Sequence, residues 1–179
     1  MRVLVAGASG VLGRRIVRQL VARNHTVVGL ARSGTAEATV RSLGGEPRRA
    51  DLFDADAVAQ AAKGCDIIIR AATAIPTKVR TGPRDWAMND RIRREGTRSL
   101  VAAAARVGAR AFLQEGVVWA VGTLDGRPFD EEAPPASDPV LASALDAERI
   151  AREAGSAGGF DALALRCGGF YSADGWHTR

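Results

Sequence analysis

The chain is poor in the side chains that most often move protons, bind metals or attack carbonyls. Its 179 residues hold one tyrosine (Tyr171), two lysines (Lys63 and Lys78), two histidines (His25 and His177) and two cysteines (Cys65 and Cys167). With so few nitrogen and sulfur donors, no metal-ligand spacing arises and no metal is expected. The cysteines form no CxxC pair and read as small buried thiols of a reducing cytoplasm. No run of about 18 apolar residues occurs, so no membrane span is expected. The charged, apolar and cleavable regions of a signal peptide are missing from the N-terminus. Aromatic residues are 5% of the total, which leaves little surface on which to stack bases. The net charge of +5 and the isoelectric point of about 10.2 come almost wholly from arginines scattered along the chain. Without a recognisable module behind them, they argue against nucleic acid as a partner. Arg91, Arg94 and Arg98 fall at helical spacing and read as a solvated face.

What is present is globular composition, 46% hydrophobic and 25% charged, in a length that suits one domain over residues 1–179. The organising stretch is the first fifteen residues, MRVLVAGASGVLGRR. Residues 2–6 are an apolar run fit for a buried strand. Gly7, Gly10 and Gly13 follow, and then a segment with apolar residues at helical spacing, 11–23. A strand that turns through glycines straight into a helix offers free backbone N–H groups and the positive end of a helix dipole to a phosphate.

Further along, strands are expected at 26–31, weakly at 47–50, at 67–70, from 111 and at 162–165. Helices are expected from 34 to the glycines at 44–45, at 54–62 with Asp54 as cap, at 85–107, and at 140–154. A loop with Pro76, Gly82 and Pro83 follows Thr73, and a second, rich in proline, aspartate and glutamate, fills 122–139. Strands alternating with helices over the whole length predict an α/β fold, a doubly wound parallel sheet of Rossmann type. Helices should cover both faces, with strand order 3-2-1-4-5-6.

The glycines are spaced GxxGxxG, between a strand and a helix, in the context that dinucleotide binding requires. Together with Asp51–Leu52 after the third strand, Ala71–Ala72–Thr73 after the fourth, Asn89 and Glu95–Gly96–Thr97 in the long helix, and Leu165–Arg166 with Phe170–Tyr171 at the end, they are similar to a known pattern. The chain resembles the short-chain dehydrogenase/reductase superfamily, in its extended, NAD-dependent epimerase/dehydratase-like branch. The resemblance implies that Gly7, Ser9, Gly10, Val11, Leu12 and Gly13 wrap a pyrophosphate. It also implies that Asp51 and Leu52 flank the adenine and that Ala71, Ala72 and Thr73 lie near the nicotinamide ribose.

An NAD site needs a carboxylate about 20 residues beyond the glycines, to accept bonds from both ribose hydroxyls. Here the second strand ends Leu30–Ala31–Arg32–Ser33, without an acid. Arg32 offers a fork of donors to a 2′-phosphate, and Arg14 stands near enough in sequence to assist. NADP(H) is therefore expected in preference to NAD(H).

Active members of the superfamily use a Tyr-x-x-x-Lys pair preceded by a serine or threonine. The lone tyrosine, Tyr171, has Gly175 four residues on. In the stretch that resembles the opening of the catalytic helix, Val140 stands at the tyrosine position and Ala144 at the lysine position, while the serine falls near Glu115 or Gly116. Glu115, at the expected end of the fifth strand, is the remaining candidate acid; Asp130, Glu131 and Glu132 read as solvated loop residues. The segment that makes most of the substrate pocket in extended members is not in this sequence. The expectation is an NAD(P)-binding oxidoreductase or epimerase. The alternatives are a non-enzymatic NADP(H)-sensing module and an inactive fragment of a longer enzyme. The resemblance also implies a homodimer through helices 85–107 and 140–154.

Overall fold

The structure is a computed structural model that describes residues 1–78, 80–122, 128–136 and 138–173. Gly175 and His177 lie outside the described residues. The chain runs β1 (Arg2–Ala6), α1 (Val11–Ala22), β2 (Thr26–Ala31), α2 (Gly34–Ser42), β3 (Glu46–Arg49), α3 (Ala55–Ala62) and β4 (Ile67–Arg70). It continues with α4 (Pro83–Arg91), α5 (Thr97–Val107), β5 (Ala111–Val117), α6 (Ala142–Gly158) and β6 (Asp161–Cys167). The strands form one six-stranded sheet in the order β3-β2-β1-β4-β5-β6, and every pairing within it is parallel. This is the α/β doubly wound arrangement expected from the alternating pattern.

β1 lies at the centre, with Val3 opposite Val27 of β2 on one side and Ile67 of β4 on the other. Val3 to Ala6 are covered on both faces and all apolar, while Arg2, half-buried at the start of the strand, pairs with Glu46. Val3 and Val5 point into one core with Val17, Val27 and Val40, under α1 and α2. Leu4 and Ala6 point into the other, with Val58, Ile68, Leu100, Phe112 and Ile150, under α3, α5 and α6. Helix starts follow local chemistry: Ser33 accepts the Ala36 N–H at 3.2 Å, and Asp54 accepts those of Asp56 and Ala57 at 3.1 and 2.9 Å.

Two helices depart from expectation. The rod expected at 85–107 begins at Pro83 and is interrupted by a π-helical turn at Ile92–Gly96 between α4 and α5. The wider turn keeps Ile92, Arg93 and Gly96 all buried, and Gly96 lies so close to Leu52 that a Cβ there would stand 2.7 Å from a Leu52 methyl. The helix expected from 140 opens instead as a 3₁₀ turn, Pro139–Leu141, capped where the Asp138 carboxylate accepts the Val140 N–H at 2.9 Å. Regular α-helix starts at Ala142 and continues to Gly158.

The arginine stripe is not simply solvated. Arg91 pairs with Glu95 at 2.8 Å and lies 3.9 Å over the Phe53 ring. Arg94 pairs with Asp146 of α6 at 2.7 Å. Only Arg98 of the three is a plain exposed charge. Cys65 is buried, whereas Cys167, on the edge strand β6, is half-buried. Among the described residues no helix is long and apolar enough to cross a membrane.

Candidate functional site

At its C-terminal end β1 stays against the residues that follow β4, the Ala71 N–H donating to the Ala6 carbonyl at 2.9 Å, and the first glycine comes next. Gly7 has φ +87°, the left-handed region that L side chains rarely adopt, and a Cβ there would lie 2.6 Å from the Ala72 nitrogen. The turn closes with the Gly10 N–H donating to the Gly7 carbonyl at 2.9 Å. A Cβ on Gly13 would sit 2.0 Å from that same carbonyl oxygen. The glycines therefore let the first turn of α1 rest directly on the end of β1. Gly10 caps α1 without a side-chain hydrogen bond, and the first turn carries no acid. The positive helix end is left for an external anion.

This turn opens onto a cavity of about 490 Å³ running along the C-terminal ends of the strands, where the strand order reverses between β1 and β4. Of the residues singled out in the sequence, Gly7, Ser9, Gly10, Val11, Leu12, Arg32, Leu52, Ala71, Ala72, Thr73, Glu115 and Phe170 line it. Gly13, Arg14 and Asp51 do not. Gly13 is buried beneath the turn and Arg14 is half-buried on α1. Asp51 is exposed, its carboxylate accepting the Phe53 N–H at 3.0 Å. Arg32 and Ser33 stand at the β2 end of the cavity, with Glu115 at the β5 end.

Around Glu115 the structure assembles buried charge that periodicity gave no reason to expect. Arg70, the last residue of β4, is 1% exposed. Its guanidinium donates to the carbonyls of Ala72, at 3.0 Å, and of Glu115, tying the ends of β4 and β5 together. Burial pushes Arg70 down to about 10, with Glu115 opposing that shift. Arg93, on the π turn, is also buried and donates to the Ser143 hydroxyl at 3.3 Å; burial lowers its pKa as well. Glu115 is 7% exposed, and burial raises its carboxyl above the usual glutamate value while Arg70 and Arg93 pull it back. An arginine closing the run Ile67–Ile68–Ile69–Arg70 was the one hint in the sequence; Arg93 had none. Asn89, buried on α4, accepts the Ala74 N–H at 2.9 Å and so pins the strand-end loop that lines the cavity.

Val140 is exposed on the 3₁₀ turn and Ala144 is buried on α6. Neither side chain can exchange a proton. Asp130, Glu131 and Glu132 are exposed. A second ion pair, buried at its carboxylate and half-buried at its guanidinium, joins α6 to β6. Glu148 of α6 receives two guanidinium nitrogens of Arg166, at 3.1 and 2.8 Å, and its carboxylate comes so close to Gly116 that a Cβ there would meet it at 3.2 Å.

A sequence model described as the NAD dependent epimerase/dehydratase family matches residues 3–178. Among curated proteins, a 3-diazoavenalumate denitrifying reductase from a Streptomyces species is 34% identical, covering all of this chain and 59% of its own length. A 4-hydroxy-2-methyl-3-oxo-4-farnesyl-3,4-dihydroquinoline-1-oxide ketoreductase from Stigmatella aurantiaca is 31% identical, over 97% of this chain and 52% of its own. Among solved structures, the UDP-glucose 4-epimerase of Thermus thermophilus, in complex with NAD, superposes with a TM-score of 0.77 at 25% identity, covering 93% of this chain and 54% of that one. The chain thus spans little more than half the length of these relatives.

Proposed function

The chain belongs to the NAD dependent epimerase/dehydratase family, and from that premise we propose that it binds NADP(H), in preference to NAD(H), in the cavity at the strand ends. It would do so in the cytoplasm, in the service of an oxidoreductase or epimerase reaction. The observation that carries this reading is the close-packed glycine turn, whose uncapped helix end opens onto the same cavity as Arg32. The turn would hold the pyrophosphate through the backbone of residues 7–13, with the Ser9 side chain alongside. Arg32 would take the 2′-phosphate in a charge-assisted fork, with Arg14 adding positive charge behind the turn. Leu52, next to Asp51, would offer an apolar wall to the adenine, while Ala71, Ala72 and Thr73 would face the second ribose. When bound, the nicotinamide supplies the hydride donor or acceptor.

The chain's own residues would orient that group and keep water from it; Val140 and Ala144 do not contribute a proton donor. Reductases among the relatives make a reduction the reading of choice. For the helix pair containing residues 85–107 and 140–154 we propose contact with a second copy, tested by the mass of the protein in sedimentation. The decisive test of the cofactor reading is calorimetric. The dissociation constants of NADPH and NADH are measured for the wild type and for Arg32→Ala. Loss of one charge-assisted fork is worth about 1.5–3 kcal/mol, so NADPH should weaken by roughly ten- to a hundredfold while NADH changes little. Equal affinities in the wild type, indifferent to Arg32→Ala, overturn the preference, and absence of any binding overturns the site.

A further inference from the structure

Resting on the reading that the cavity holds a dinucleotide with its 2′-phosphate at Arg32, we propose that Glu115 sets which redox form of the cofactor the chain retains. Its carboxylate favours the oxidised, positively charged nicotinamide over the reduced, neutral one. The placement follows from the topology. The cavity extends from Arg32 and Leu52, at the ends of β2 and β3, to Thr73 and Glu115, at the ends of β4 and β5. An adenosine anchored at Arg32 leaves the β4–β5 end to the nicotinamide half.

At that end, Glu115 is the one carboxylate lining the cavity among the described residues. Its side chain is more than nine-tenths buried, and its Oε2 has no hydrogen-bond partner. The nearest cation does not satisfy it. Arg70 Nη2 stands 3.9 Å from Oε2, beyond hydrogen-bond reach, because two of the Arg70 guanidinium nitrogens are directed to the carbonyls of Ala72 and Glu115. Arg93, the other arginine acting on Glu115, has its Nη1 on Ser143. The Glu115 carboxylate therefore stands in the cavity wall with no hydrogen bond at Oε2, and it acts on a group that enters the cavity through its charge rather than through that shielded oxygen.

Oxidation changes the nicotinamide by one unit of charge, and a buried charge near it acts through a medium of low dielectric constant. Only such a differential interaction can shift the balance between two bound forms. The groups that set the state of Glu115 come from each element around it. Arg70 on β4 and Arg93 on the π turn favour its ionised form. Cys167 on β6 is a thiol that burial, and then Glu115, push upward. Glu148 on α6 is neutralised by Arg166 of β6. Since burial raises the Glu115 carboxyl, the preference for the oxidised form grows as pH rises through its titration and is lost as the carboxyl protonates.

The test uses the full chain and measures dissociation constants for NADP⁺ and NADPH between pH 5 and 9, for the wild type, Glu115→Gln and Glu115→Asp. The expected result is a shift of the NADP⁺-to-NADPH affinity ratio by roughly tenfold towards NADPH in Glu115→Gln, equivalent to about 1.4 kcal/mol. Glu115→Asp should keep the wild-type direction. An identical ratio in the wild type and Glu115→Gln overturns the inference while leaving the cofactor reading intact. Failure of the wild type to bind either nucleotide overturns both. Circular dichroism verifies folding. Should Glu115→Gln not fold, Glu115→Ser takes its place: a ratio moved towards NADPH supports the role of Glu115, and an unchanged one overturns it.

Discussion

Gly13 is where the fold and the proposed cofactor site depend on the absence of a single carbon. A Cβ built there lies 2.0 Å from the Gly7 oxygen, 2.7 Å from the Gly7 carbon and 2.9 Å from the Ala8 Cα. All three are backbone atoms, so no rotamer change relieves the clash. Gly13→Ala must push α1 off the end of β1 or twist the turn whose Gly10 N–H to Gly7 carbonyl bond is 2.9 Å long. Overpacking of a tight interior costs about 1–3 kcal/mol, and a clash with backbone belongs at the upper end of that range. In a domain of this size each kcal/mol moves the melting temperature by about 2–4 °C. Thermal unfolding followed by circular dichroism should therefore show a fall of roughly 6–12 °C. Because the same movement misdirects the N–H groups at the start of α1, NADPH should also bind at least about tenfold more weakly, a loss of about 1.4 kcal/mol. Gly34→Ala is the control. It adds the same carbon in the first turn of α2, where nothing lies within 4 Å, and it should raise stability by about 0.4–1 kcal/mol. A Gly13→Ala protein that melts within 2 °C (approximately the scatter expected for a neutral surface change) and binds NADPH like the wild type would refute the close-packed turn.

Two further outcomes test the frame that holds the cavity. Arg166→Ala leaves the Glu148 carboxylate, 5% exposed, without its bidentate partner. Leaving a buried acceptor without its partner costs about 1–3 kcal/mol, and the half-buried Arg166 places the loss in that range; denaturant unfolding should report it as a lower midpoint at unchanged slope. Asp146, hydrogen-bonded by Arg94, has a pKa below the usual aspartate value. A depressed pKa contributes stability above the unfolded-state value of about 3.9, and that contribution disappears as pH falls through the lower folded value. Asp146→Asn should therefore melt below the wild type at pH 7, and the two curves should converge as pH falls through the lowered folded value.

The parallel order of the sheet was legible because buried strands and covering helices write different periods into the chain, and Gly7, Gly10 and Gly13 mark the junction between the two. Part of the cavity wall was legible for the same reason. Residues at strand ends and the first helical turn must converge where the strand order reverses, so Arg32 and Glu115 could be placed from strand order, whereas Leu52 and Ala71 to Thr73 were placed by the family resemblance, which also named Asp51, a residue outside the cavity wall. The Ile92–Gly96 π turn was not legible. Helical spacing across it looks regular, and only the packing of Gly96 on Leu52 calls for the wider turn. The 3₁₀ start at Pro139–Leu141 escaped for a similar reason, since the Asp138 cap and the proline are local signals compatible with either kind of first turn.

By itself, then, the sequence determined the order of the strands, the place of the glycine turn, the missing acid after β2 and the missing Tyr-x-x-x-Lys pair. Each is carried by a residue type or a period and survives whatever the chain packs against. Only the tertiary structure decided what surrounds Glu115. Arg70 lies 45 residues away along the chain, and Arg93 reaches Ser143 across 50. Whether such an arginine is a solvated charge or a buried one depends on the elements that close over it. Burial is a property of the assembled layers, and it gives two ordinary-looking arginines and one glutamate their perturbed chemistry.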